Sequence, residues 1–134
     1  MIHDELSRKI IGAGMDVLNE LRPGLDEKLY ERAMIIELKR RGHSLSIQRA
    51  FPVFYRSELI GNLIPDLIVD DAVIVDPKVA ACSADTHVAQ TLGYLNITGL
   101  DLALLFNFKN ARLKWKRVLR PREAAEHDAP DLHA

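Results

Sequence analysis

Apolar and polar positions change period several times along this chain, and each change marks an element. Between about Asp4 and Leu21, Ile10, Ile11, Met15, Val17, Leu18 and Leu21 fall mostly at helical spacing with acids and bases between them. That pattern predicts an amphipathic helix ended by Arg22-Pro23-Gly24. A second helix is predicted from about Leu25 or Asp26 to Arg41. Asp26 and Glu27 stand at its positive end, Lys39, Arg40 and Arg41 at its negative end, and Gly42 follows as its terminating glycine. Leu29, Ala33 and Ile36 form one apolar stripe; Glu27, Tyr30 and Met34 form a neighbouring one headed by an acid.

The period then shortens. Leu45 to Tyr55 alternates loosely as a strand, with Pro52 marking an edge or a bulge, and Leu59 to Val69 follows after Arg56-Ser57-Glu58. Leu67-Ile68-Val69 and Val73-Ile74-Val75 are short aliphatic runs that read as buried strands joined at Asp70-Asp71, the second reaching Lys78. Ser83 or Asp85 can cap a third helix running to about Thr98 and closed by Gly99. Val88, Leu92 and Leu95 face its core, and His87, Gln90 and Tyr94 share an adjacent stripe. His87, with no cysteine or second histidine near it, reads as exposed or capping. Leu100 to Phe108 is an apolar strand, Lys109-Asn110 a turn and Ala111 to Leu119 a last strand. The predicted order is helix, helix, three strands, helix, two strands (ααβββαββ), an α/β arrangement.

Candidate chemistry concentrates at Ile64-Pro65-Asp66 and Val75-Asp76-Pro77-Lys78. On a strand, i and i+2 share a face, so Asp76 and Lys78 point the same way. Two carboxylates and an ammonium in an apolar sheet must each be paired, hydrated or bound to a metal. A hard divalent cation such as Mg²⁺ suits them, using one or two carboxylates together with substrate phosphate. The lysine would then orient or activate the attacking water, or offset charge on the phosphate. Plainer readings stand beside these: a surface hairpin for D-x-K, a helix-terminus charge for Glu27, a solvated residue for Gln90, a core-edge aromatic for Tyr94.

Register adds a condition. A two-residue loop at Asp70-Asp71 would pair Asp66 with Val75 and leave Asp76 on the opposite face. A shared site needs an odd loop such as Asp70-Asp71-Ala72, or a bulge, and Pro77 makes irregularity beside Asp76 expected.

Composition changes the picture little: 134 residues, 48% hydrophobic and 28% charged, suit one domain with a real core. It is expected over residues 1–120, with 121–134, polar and Ala-rich, as a disordered tail. A net charge of -1 neither favours nor excludes a nucleic-acid partner, so distribution matters more. Lys109, Arg112, Lys114, Lys116, Arg117, Arg120 and Arg122 cluster with little acid among them. Arg112, Lys114 and Lys116 alternate with Leu113 and Trp115, giving a cationic strand face that could contact phosphates or guard a sheet edge. Cys82 is the one cysteine, so no disulfide framework or cysteine-based zinc site is expected. No stretch approaches 18 apolar residues and Met1 to Glu5 carries no signal pattern, so the expectation is a soluble, cytoplasmic protein without membrane attachment.

Gly24-Leu25-Asp26-Glu27-Lys28-Leu29-Tyr30 matches G-x-x-E-x-x-Y, and from about Ile10 to Leu119 the chain resembles the small bacterial GxxExxY proteins. That family is similar to a branch of the PD-(D/E)xK nuclease superfamily. Pro65-Asp66 and Asp76-Pro77-Lys78 stand for the two-part motif, and Gln90-Thr91-Leu92-Gly93-Tyr94 resembles the Q-x-x-x-Y of the exonuclease-like branch. The resemblance implies a restriction-endonuclease-like core, a mixed sheet flanked by helices. It implies Asp66 and Asp76 as metal ligands, Glu27 as an accessory ligand or second acid, and Lys78 as the water-orienting or charge-stabilising base. Gln90 and Tyr94 would position substrate or water, with Tyr30, Arg112, Lys114 and Lys116 also on the substrate side. The implied function is a Mg²⁺- or Mn²⁺-dependent nuclease that hydrolyses phosphodiester bonds with metal-activated water, DNA being preferred over RNA as partner. A homodimer is a further expectation, whose mark would be exposed apolar edges on the first helix. Two departures bear on activity: Asp76 stands where glutamate is usual, and Pro77 where an aliphatic residue is usual. They keep open a second function, a catalytically decayed nuclease-fold module that binds nucleic acid or a protein partner.

Overall fold

Helix α1 (Asp4–Leu21) buries Ile10, Ala13, Gly14, Val17 and Leu18, and α2 (Glu27–Arg40) buries Tyr30, Met34 and Leu38, in a computed structural model that describes residues 2–81 and 85–121. Expectations for Cys82, a Ser83 cap, Arg122 and the tail beyond Pro121 lie outside the described residues. On α2 the inward stripe is the one headed by Glu27, whereas Leu29 and Ile36 are exposed. Spacing alone leaves open which of the two stripes turns inward. Tyr30, Met34 and Leu38 recur every four residues and bury the bulkier aromatic, which outweighs the shorter Leu29-Ala33-Ile36 stripe.

The described residues between α2 and α3 (Asp85–Thr98) form five strands rather than three: β1 (Leu45–Ile47), β2 (Phe51–Tyr55), β3 (Glu58–Leu63), β4 (Leu67–Val69) and β5 (Val73–Lys78). After α3 come β6 (Leu102–Asn107) and β7 (Lys114–Leu119). Each of the two long predicted strands is divided, one at residues 48–50 and the other at 64–66. Their pairing nevertheless continues across the break: Leu45↔Val69 and Ile47↔Leu67 keep the same alignment as Phe51↔Leu63 and Val53↔Gly61. The segment is thus one antiparallel ribbon bent in the middle. Gln48 takes a positive φ of 54° and Pro65 has no N–H, and both work against an even ladder at that point. The Gln48 N–H still donates to the Asp66 carbonyl at 3.2 Å across the bend.

The proximal half of the ribbon joins a five-stranded sheet in the order β1-β4-β5-β6-β7, while β2 and β3 form a separate two-stranded sheet. Among the described residues only β5 and β6 pair in parallel, the connection that α3 spans, so the main sheet is mixed. One face packs Val69, Val75, Leu104 and Phe106 against α1 and α2; the other packs Ile68, Ile74 and Ala103 against Leu95 of α3. A Cβ added at Gly14 would meet Leu113 at 3.1 Å, so the missing side chain lets α1 seat closely on the sheet. The mixed sheet flanked by helices agrees with a restriction-endonuclease-like fold. Among the described residues no helix is long and apolar enough to cross a membrane.

Candidate active site

The three-residue turn Asp70-Asp71-Ala72 joins β4 to β5, meeting the register condition for a shared site. Leu67 pairs with Val75, Ile68 with Ile74 and Val69 with Val73, so one step back Asp66 stands opposite Asp76. Asp70 and Asp71 both take left-handed backbone, and Ala72 N–H closes the turn on the Val69 carbonyl at 2.9 Å. The Asp70 carboxylate accepts from Ser44 N–H at 2.8 Å and meets His43 Nδ1 at 2.8 Å. Burial pushes that carboxyl upward, but the bonds from His43 and Ser44 outweigh it and hold the group below its ordinary range. The irregularity expected at Pro77 is absent: β5 pairs with β6 in unbroken register from Val73↔Leu102 to Lys78↔Asn107. The β4 ladder has already ended there, so the proline interrupts no pairing on that side.

Asp76 is 3% exposed. Its Oδ1 lies 3.6 Å from Lys78 Nζ, and among the described residues its buried Oδ2 has no hydrogen-bond partner. Burial raises its pKa to about 6; Lys78 opposes that rise, and the carboxylates of Asp66 and Glu27 add to it. Those influences place both other acids within electrostatic reach of Asp76. Glu27 arrives from the first turn of α2, where its Oε1 accepts the Val79 N–H at 3.0 Å just past the end of β5. Tyr94 on α3 faces the same group of charges. Burial first, then the carboxylates of Asp76 and Asp66, push its phenol upward against an opposing effect of Lys78. Gln90, one turn earlier and exposed, donates from Nε2 to the Tyr94 hydroxyl at 3.1 Å.

The fold therefore brings Asp66, Asp76, Lys78, Glu27 and Tyr94 together, with Gln90 tethered to the last. Lys116 lies in line with Asp76 across Leu105, and Lys114 in line with Lys78 across Asn107. Each lysine is two strands away on the same face, about 10 Å by the usual interstrand spacing. Arg112 is exposed and precedes β7, which begins at Lys114 rather than Ala111. Tyr30 is fully buried: its hydroxyl donates to the Arg22 carbonyl at 2.6 Å and accepts from Leu25 N–H at 3.1 Å, and its ring stacks on Phe108. That packing corrects the expectation that Tyr30 meets substrate.

Asn107 was not expected at the site. Its side chain holds Ala80 at both ends, accepting from the N–H at 3.2 Å and donating to the carbonyl at 2.9 Å, and so fixes the chain just beyond Lys78. A polar residue ending the apolar run Leu102–Phe106 was the available signal. A pocket of about 40 Å³ beside it is lined by Lys78, His87, Lys114 and Trp115. The larger cleft, about 600 Å³ between α1 and α2, is lined by Asp16, Glu20, Ile36, Glu37 and Arg40 and contains none of these residues. Size therefore does not locate the chemistry here.

Among the described residues no three acidic, histidine or cysteine side chains form a ready metal cage. The donor set still fits a hard cation, because among the described residues an oxygen of Asp76 is buried without a partner and the Asp66 carboxylate lies within electrostatic reach of it. A Mg²⁺-type ion commonly completes its shell with water and substrate phosphate, so two carboxylates suffice to begin one.

A family model described as "PD-(D/E)XK nuclease superfamily" matches residues 4–118. Neither curated proteins nor solved structures give a match.

Proposed function

The chain belongs to the PD-(D/E)XK nuclease superfamily, and from that premise we propose that it hydrolyses phosphodiester bonds in nucleic acid with Mg²⁺ or Mn²⁺ bound at Asp66 and Asp76. The observation that carries this reading is the buried Oδ2 of Asp76, without a partner among the described residues, in a carboxylate that lies beside Lys78 and within electrostatic reach of Asp66. An unsatisfied carboxylate oxygen is a standing cost to the fold, and a cation would offset it.

When bound, the cation supplies Lewis-acid polarisation of a phosphoryl oxygen and a more acidic water. Asp66, just before β4, and Asp76, on β5, would hold it. Lys78 keeps its ammonium beside Asp76, where it orients the attacking water or offsets charge gathering on the phosphate. Glu27 is a further acid at the same end of the sheet, fixed by Val79. Tyr94 and Gln90 form the α3 wall against which water or substrate is placed, and Lys114 and Lys116 meet phosphates along the same sheet face. DNA is the partner we favour. Within the superfamily we place the chain with GxxExxY-type proteins, and the motif has a physical sense here. Gly24 takes the positive φ of 113° in the turn, Tyr30 ties that turn to α2, and Glu27 reaches the site.

The test is cleavage of single-stranded, duplex and branched DNA and of RNA with Mg²⁺, Mn²⁺ or chelator. Asp66→Ala and Lys78→Ala should each lower cation-dependent cutting by about a hundredfold or more. Cutting that survives both would place the chemistry elsewhere. No cutting, with nucleic-acid binding undiminished in chelator, would favour the decayed binding module.

A further inference from the structure

Beside the acids, a hollow of about 40 Å³ is lined by Lys78 at the end of β5, Lys114 at the start of β7 and His87 from the first turn of α3. The proposed chemistry leaves it unused. Register puts the two lysines on one face of the sheet, because Lys78 pairs with Asn107 and Asn107 with Lys114. His87 closes the group from the helix side. Expected to be exposed or capping, it is half-buried, since the α3 stripe that brings Tyr94 to the charges around Asp76 carries His87 two turns further along.

The lining is cationic. Among the described residues it contains no acid: Asp76 meets Lys78 at 3.6 Å, Lys114 forms no ion pair, and Asp85, in the same turn as His87, is exposed and does not line the hollow. Two ammonium groups and an imidazole therefore gather with one carboxylate beside them, and an anion among them would accept their N–H groups and relieve the repulsion. The positive end of α3 adds to the same potential. Size then narrows the anion, because room for on the order of a few waters admits the oxygens of a phosphate and excludes a nucleobase. The wall is already set. Asn107 accepts from the Ala80 N–H at 3.2 Å and donates to the Ala80 carbonyl at 2.9 Å, so a ligand would not have to order that stretch on binding.

We propose that His87, Lys78 and Lys114 form a phosphate subsite, holding a second substrate phosphate beside the one to be cleaved. That it serves a nucleic-acid substrate rests on the nuclease reading; the anion site does not. Its ligand is a phosphate oxyanion, supplied by a terminal monoester or by the neighbouring diester of the same strand.

Oligonucleotide binding in chelator tests the subsite apart from cleavage. The probes are one sequence with a 5′-phosphate, with a 3′-phosphate, with both ends hydroxyl, and with single internal linkages made neutral. Removing one of these phosphates should weaken binding to the wild-type chain by about tenfold, whereas His87→Ala combined with Lys114→Ala should still bind but lose that discrimination. His87→Lys, which restores a cation, should regain most of it. Dependence on an end phosphate assigns the subsite to chain ends, and dependence on an internal linkage assigns it to the diester. Inorganic phosphate gives a second readout without any variant. The ring signals of His87 should shift as it is added, while those of His43, held by Asp70, stay in place. A wild-type chain indifferent to every phosphate overturns the proposal, as does discrimination that survives the double variant or an unmoved His87 ring. Discrimination without any cation-dependent cutting would support the subsite and count against the nuclease reading alone.

Discussion

The carboxyl of Asp76 holds its proton to about pH 6, against an ordinary value of 3.8, because it is buried among two other acids with a single ammonium opposing them. Between those two pH values the folded chain binds more protons than the unfolded chain, so stability falls as pH rises through the window. Above about 6 the whole cost of the buried charge remains. In chelator, Asp76→Asn should therefore raise stability at pH 8 by on the order of 1–3 kcal/mol, with the gain vanishing below about pH 4. Thermal unfolding of both proteins across that range checks it, and a loss at pH 8 would mean that Lys78 more than offsets burial. Tyr30→Phe makes the contrast. Removing the hydroxyl leaves the Arg22 carbonyl and Leu25 N–H without that partner and should cost about 1–3 kcal/mol in urea unfolding, without abolishing cation-dependent cleavage. The pairing of Asp76 with Lys78 was legible because a strand's two-residue period fixes which side chains share a face. The role of Tyr30 was not. Helical spacing groups residues into stripes but does not say which stripe turns inward, and that was decided by α2 docking on Phe108 and the α1 end.

At the level of elements, the β4–β5 turn carries the site, and its two aspartates do different work. Asp70 and Asp71 both adopt backbone that glycine tolerates better. Asp71 is exposed and its contact with Arg49, at 3.5 Å, is a surface pair of small worth. Asp71→Gly should thus be stabilising or neutral, within about 1 kcal/mol. Asp70→Gly should instead destabilise by about 1–3 kcal/mol, because Ser44 N–H and His43 lose their acceptor. Denaturant midpoints for the two variants should move apart, and equal midpoints would show that the Asp70 bonds contribute nothing. The need for an odd loop here followed from register alone, since a one-residue slip turns a side chain to the other face. The ribbon's bend was hidden for a related reason. Its pairing alignment runs straight through residues 48–50, its apolar alternation keeps the same phase on either side of them, and the positive φ of Gln48 leaves no compositional trace. Pro77 drew the expectation of irregularity that Pro65 in fact fulfils.

Across the whole molecule, the succession of helical and alternating segments indicated an α/β arrangement, and the flanking of a mixed sheet by helices came only with the family resemblance. The basic C-terminal strand was legible only as a mixture. Arg117 donates to Ser7 Oγ and to the Ile2 carbonyl, each at 2.8 Å, pinning β7 to α1, and Arg120 pairs with Asp101 at 2.8 Å. Arg112, Lys114 and Lys116 stay exposed, the two lysines in line with Lys78 and Asp76. Sequence alone cannot separate these groups, because alternation assigns a face and not the partner waiting on it. Binding to an oligonucleotide in a non-cleaving Lys78→Ala background separates them. Each phosphate contact releases counterions, so Lys114→Ala and Lys116→Ala should each reduce the slope of log affinity against log salt by about 1, and together by about 2. Arg117→Ala should leave the slope unchanged and lower the unfolding temperature instead, since its guanidinium is committed to α1. Unchanged slopes in both lysine variants would turn the substrate path away from β7 and toward the α3 wall, leaving those lysines as guards of an edge strand.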